Sequence, residues 1–96
     1  VPALRCNLTV AEPRLAALAR ELLPRTPVSE HGAAIALIEH LATLCAELAI
    51  PTRLRELGVA RDQLPALVPA SHGNSLSGNP RALSDDELRD LLESLW

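Results

Sequence analysis

The sequence predicts an all-α protein, a single small bundle of about five helices, from three observations. Apolar residues make up 48% of the 96, and they are mostly Leu and Ala, with no Phe, Tyr or Met and Trp96 as the one aromatic. Leu and Ala are strong helix formers, whereas the β-branched and aromatic residues that favour strands are scarce. Leucines also recur at helical spacing in several windows. Ser84-Asp85-Asp86-Glu87 is a helix-start signature: the Ser84 oxygen accepts a first-turn N–H and Glu87 reaches back. The length suits one compact domain over residues 1–96 and not two.

Residues 1–11 contain Pro2 and read as an irregular lead-in. A first helix is expected over 12–23, with Pro13 near the first helical position, where its missing N–H costs nothing. Leu15, Leu18, Leu22 and Leu23 would form its stripe, and Pro24 stops it. The second helix, 29–49, has Ser29 as N-cap and ends before Pro51. Ile35, Leu37, Ile38, Leu41, Leu44, Cys45 and Leu48, widened by five alanines, make it apolar on most sides, as a central buried helix would be. A domain this small has few neighbours to cover such a helix, so a further protein surface is expected to do so.

Pro51 and Thr52 open a short helix over 52–57, which Gly58 can close in the left-handed conformation. A fourth helix is expected over 61–70, with Asp62 in its first turn, where a carboxylate suits the helix dipole. Residues 71–83 are read as a loop. The last helix, 84–95, follows the Ser84 signature and carries Leu88, Leu91, Leu92 and Leu95 on one face.

Charge and cysteine content exclude several function classes. The net charge is −3, and the nine basic residues are scattered arginines, so no basic face for nucleic acid is evident. No apolar run is long enough to span a bilayer, and no secretory signal is recognisable. Cys6 and Cys45 are too few and too distant in sequence for a disulfide framework or metal knuckle. They read as small buried residues of a protein in a reducing cytoplasm. The first residue is Val rather than Met. Either Met was removed, or the start codon was read differently, or the sequence is part of a longer chain.

Four segments in order carry a resemblance. Ile50-Pro51-Thr52-Arg53-Leu54-Arg55-Glu56-Leu57-Gly58-Val59 is followed by Asp62-Gln63-Leu64-Pro65-Ala66-Leu67 and then by Gly78-Asn79-Pro80-Arg81. Upstream lies Val1-Pro2-Ala3-Leu4-Arg5-Cys6-Asn7. Together they resemble the C-terminal part of the helical domain of iron-containing (group III) alcohol dehydrogenases, over almost the whole chain. No one segment is specific, but the order and spacing are.

That resemblance implies a parent reaction of hydride transfer between NAD(P) and an alcohol or aldehyde, with a divalent metal, iron or zinc, as Lewis acid. It also implies that the metal ligands, one Asp and three His, lie upstream of residue 1. No catalytic, cofactor-binding or metal-binding residue is therefore assigned in this chain, and no glycine-rich strand-turn-helix for a pyrophosphate is recognisable. His31-Gly32-Ala33-Ala34-Ile35-Ala36 imitates the family's metal-binding helix, with His40 after it. The Pro51–Val59 anchor places it on a later helix, and residues nine apart do not share a helix face. Arg53, Arg55 and Glu56 are read as structural, capping carbonyls or pairing with one another's neighbours.

The loop has the better claim to a functional surface. The resemblance puts the stretch before Asn79-Pro80-Arg81 beside the substrate cleft, making His72, Asn74, Ser75 and Asn79 candidate cleft residues. Ser75 stands where members often carry Cys. The competing reading is an ordinary polar turn that leads into the last helix. Two functions follow. The chain is the terminal helical segment or subunit of such a dehydrogenase, with a packing and cleft-wall role and no activity alone. Alternatively it is a free-standing interaction module that catalyses nothing. Its partner is the missing dehydrogenase portion, another protein, or a second copy in a homo-oligomer.

Overall fold

The computed structural model describes all 96 residues, and every regular element is helical. Five α-helices are present: α1 (Pro2–Leu22), α2 (Glu30–Glu47), α3 (Leu64–Ala70), α4 (Asn74–Ser77) and α5 (Asp85–Leu95). Two 3₁₀ turns, Leu54–Leu57 and Arg61–Gln63, lie between α2 and α3. The length suggests one domain, yet the chain gathers into two compact units, Val1–Ile50 and Pro51–Trp96.

The first unit is a helical hairpin. Here the expectation of an irregular 1–11 is wrong, because α1 starts at Pro2 and carries Pro13 in its interior. The helix does begin with a proline at its first position, but that proline is Pro2. Pro13 forgoes the backbone hydrogen bond to Thr9, a cost of up to about 3 kcal/mol. Thr9 and Pro13 both face solvent, so water can satisfy the orphaned carbonyl. Against that cost, Val1, Leu4, Leu8 and Ala11 all pack on the core. Each half-buried leucine contributes about 1 kcal/mol. The spacing of Leu4, Leu8, Ala11 and Leu15 continues one helical face straight through Pro13.

The core of this unit is built of Leu15, Ala16, Ala19, Ala33, Ala34, Leu37 and Ile38. The four alanines are completely covered, which lets the two backbones approach closely. The contact face of α1 is thus Leu15–Ala16–Ala19, and Leu18 and Leu22 of the expected stripe turn outward, 48% and 63% exposed. Likewise α2 buries only one face. Leu44 and Leu48 near its end are exposed, and so is Val28 before it. Cys6 and Cys45 are half-buried thiols, not the buried ones expected.

Ser29 caps α2, its Oγ accepting the Gly32 N–H at 3.0 Å. A Cβ on Gly32 would come within 2.7 Å of that oxygen and 2.8 Å of the Pro27 Cβ, so the turn has room only for glycine. At the other end Ala49 takes φ of +54°. Its N–H reaches Ala46 O at 3.1 Å, and the Ile50 N–H reaches Cys45 O at 3.0 Å. This is the Schellman arrangement that usually carries glycine, and Pro51 follows to prevent further helix. Two side-chain pairs cross the hairpin, Arg5 to Glu39 and His31 to Glu12, each at 2.8 Å.

In the second unit α3 packs on α5. Leu64 and Val68 of α3 and Leu88 of α5 are its buried apolar residues. The rest is held by side chains that bind turns. The Glu56 carboxylate accepts the N–H groups of Thr52 and Arg53, both at 2.9 Å. These bonds, that from Arg53 foremost, hold the Glu56 carboxyl below its ordinary value of 4.5. Gly58, at φ +85°, closes that turn. The Gln63 side chain accepts the Ala60 N–H at 2.7 Å and starts the turn that runs into α3. Ser84 and Glu87 form the reciprocal cap of α5, at 3.1 Å and 2.9 Å. The Ser84 N–H is the main reason that the Glu87 carboxyl also lies below 4.5.

Trp96 fastens the end of α5 to the first turn of the unit. Its Nε1–H donates to Val59 O at 3.0 Å. The Arg55 and Arg61 guanidinium groups lie 5.8 Å and 5.6 Å from the ring centroid. Arg61 also pairs with Glu93 at 3.0 Å. Arg53 reaches the Ser94 carbonyl at 3.3 Å. Arg53, Arg55 and Glu56 therefore act as fasteners of backbone and ring.

Candidate functional site

The candidate cleft residues fall in the segment that joins α3 to α5. The sequence reads it as loop, but Asn74–Ser77 form the single turn α4. Ser77 N–H binds Gly73 O at 2.9 Å, and Gly78 N–H binds Asn74 O at 3.0 Å. Leu76 is the half-buried residue of that turn. One apolar residue among polar ones gives no period, so the turn left no trace in the hydrophobic pattern.

This segment surrounds an open concavity of about 470 Å³. His72, Gly73, Leu76, Ser77, Asn79, Ala82 and Leu83 line it. Of the four candidates, His72 and Asn79 line the concavity, whereas Asn74 and Ser75 are exposed on the turn and do not. Asn79 is positioned by its own side chain, whose Nδ2 donates to Arg81 O at 2.6 Å. Arg81 in turn pairs with Glu87 at 2.6 Å, so the Asn79-Pro80-Arg81 turn is tied to the cap of α5. His72 is tied to the same helix by another route. Its Nε2 lies 2.7 Å from Asp85 Oδ1. Sequence reasoning missed Asp85 as a partner, and also Leu76, Ser77, Ala82 and Leu83 in the lining. His72 and Asp85 are thirteen positions apart, across a turn whose path no spacing rule describes.

The family model for the C-terminal part of Fe-containing alcohol dehydrogenases matches residues 2–96. The chain belongs to this family. No curated protein and no solved structure matches it. Iron-type alcohol dehydrogenases carry a metal in their name, and the donor set here can be set against one. His31 is engaged by Glu12 and His72 by Asp85. Nowhere do three His, Cys, Asp or Glu side chains converge, whereas a transition-metal site requires three or four protein ligands. A metal site of that kind is not assembled by the residues of this chain. No helix is long and apolar enough to cross a membrane.

Proposed function

We propose that this chain is the terminal helical part of an iron-type alcohol dehydrogenase, whose packing and cleft wall it provides. The parent reaction is NAD(P)-dependent interconversion of an alcohol and an aldehyde. The nucleotide and the divalent metal, iron or zinc, are held by another portion of the dehydrogenase. The observation that carries this reading is the family match over residues 2–96. The concavity bounded by His72 and Asn79 is the part of the wall that faces substrate. Its role is to shape access, since hydride transfer needs the cofactor and the metal that lie elsewhere.

The outward apolar residues fit the same reading. Val28, Leu22 and Leu48 are 99%, 63% and 63% exposed. Each large aliphatic side chain left in water forgoes about 2 kcal/mol of burial, and the metal-bearing portion is the surface that covers them. The test has two arms. The pure 96-residue protein, given NAD or NADP, Fe²⁺ or Zn²⁺ and simple alcohols, is expected to show no turnover, and robust turnover would overturn the reading. Co-expression with the nucleotide- and metal-binding portion of an iron-type alcohol dehydrogenase is expected to yield a stable complex. Recovery of both proteins unassociated would favour the free-standing interaction module.

A further inference from the structure

Helix α2 carries a leucine stripe that its neighbour covers over only part of its length. Leu37, Leu41, Leu44 and Leu48 recur at alternating spacings of four and three, which places them on one face. Leu37 is buried in the hairpin seam, and Leu41 packs against that seam. Leu44 and Leu48 are 42% and 63% exposed. The spacing that brings two helices together thus continues over the end of α2, where nothing in the chain covers it.

One edge of that stripe is polar in a way that suits a copy of itself. His40 and Glu47 stand seven positions apart, nearly two full turns, and line the same edge on either side of Leu44. Both are exposed, and neither has a partner within the chain. His31 and Glu39 of the same helix, by contrast, are engaged by Glu12 and Arg5. An imidazole N–H donates to a carboxylate whether the ring is neutral or protonated. Two α2 helices laid side by side in parallel would set His40 against His40 and Glu47 against Glu47. Antiparallel, about an axis near Leu44, they set each His40 beside the Glu47 of the other copy. A two-fold interface uses one patch twice, so the same pair forms at both ends.

We propose that the uncovered end of α2 is a self-association surface: two copies pair their α2 helices antiparallel, burying Leu44 at the two-fold axis and Leu48 to either side, and each His40 donates to the Glu47 carboxylate of the other copy. The inference goes beyond the proposed function. It describes the chain by itself, whereas on that reading the metal-bearing portion takes the Leu48 surface when it is present.

The experiment is sedimentation equilibrium of the full chain from roughly 10 µM to 1 mM, the range of a weak complex. A reversible monomer–dimer equilibrium is expected, weak because the patch is smaller than a standard interface. Leu44→Glu should be monomeric throughout and still helical by circular dichroism, because this side chain lies outside the hairpin core. His40→Glu and Glu47→Arg should each weaken the dimer about fivefold, since symmetry repeats the lost pair. The double variant, which reverses the pair, should restore it in the antiparallel arrangement alone. A chain that stays monomeric at the highest concentration, a Leu44→Glu protein that dimerises unchanged, or a double variant no better than the single ones would each overturn the proposal. The measurement needs neither turnover nor the metal-bearing portion, so it can fail while the proposed function stands, and the reverse.

Discussion

The two units hold themselves together by different means. In residues 1–50 the work is done by apolar contact, with four fully covered alanines bringing two helices close. Few of its side chains bind backbone, and several large aliphatics are left in water. In residues 51–96 only Leu64, Val68 and Leu88 are buried apolar residues, while side chains seize the backbone of successive turns. Glu56, Gln63, Ser84 and Trp96 each bind a main-chain group. A hairpin can rely on a flat, close-packed seam because its geometry is regular. A run of short turns has no such seam and needs individual fasteners.

Substitutions can break this contrast. The largest effect is expected from Leu37→Ala, which opens a cavity in the hairpin seam and should cost about 3 kcal/mol. Hydrogen exchange at the α1 and α2 amides checks it, and unchanged protection there would refute the seam as the main support. Trp96→Ala should come next, at about 2 kcal/mol, from the loss of one hydrogen bond and two arginine–ring contacts. Chemical denaturation monitored by helical circular dichroism measures it. Trp96→Phe should recover part of that loss, because the ring contacts survive and the bond to Val59 does not.

A smaller change of opposite sign is expected at the end of α2. Ala49 holds a left-handed conformation that costs a non-glycine residue about 1 kcal/mol. Ala49→Gly should raise stability by about that amount, read as a higher thermal midpoint. The smallest effect is one of acidity. Glu56 and Glu87 both have folded values below the ordinary 4.5. Their contribution is therefore complete above pH 4.5 and is lost as pH falls through the lowered folded values. Protection of the Thr52, Arg53 and Ser84 amides, relative to their intrinsic exchange at each pH, should fall over that acid range. Glu56→Gln and Glu87→Gln should flatten the response.

The contrast also explains what could be read from sequence. Fasteners made by neighbours in the chain were legible: the Ser84–Glu87 cap, the Ser29 cap and the Gly58 closure each lie within a few residues of their partners. The start of α1 was not, because Pro13 looks like a first-position proline and only tertiary burial of Leu4 and Leu8 outweighs its cost. The alanine seam was masked by Leu18 and Leu22, whose size suggests a core that the smaller residues in fact form. At the candidate site, His72 and Asn79 were found only through the family resemblance. The link from His72 to Asp85 depends on how α4 folds, and one turn of polar residues leaves no pattern. Ala49 was unreadable for a related reason, since alanine there gives none of the signal that glycine would.

Trp96 gives this protein an unusual optical asymmetry. With no Tyr or Phe in the chain, all near-ultraviolet absorption and emission come from one indole. That indole is clasped by Arg55, Arg61 and the Val59 carbonyl, all within residues 51–96. Fluorescence will therefore report directly on the turn-fastened unit, which holds both the indole and the groups that clasp it.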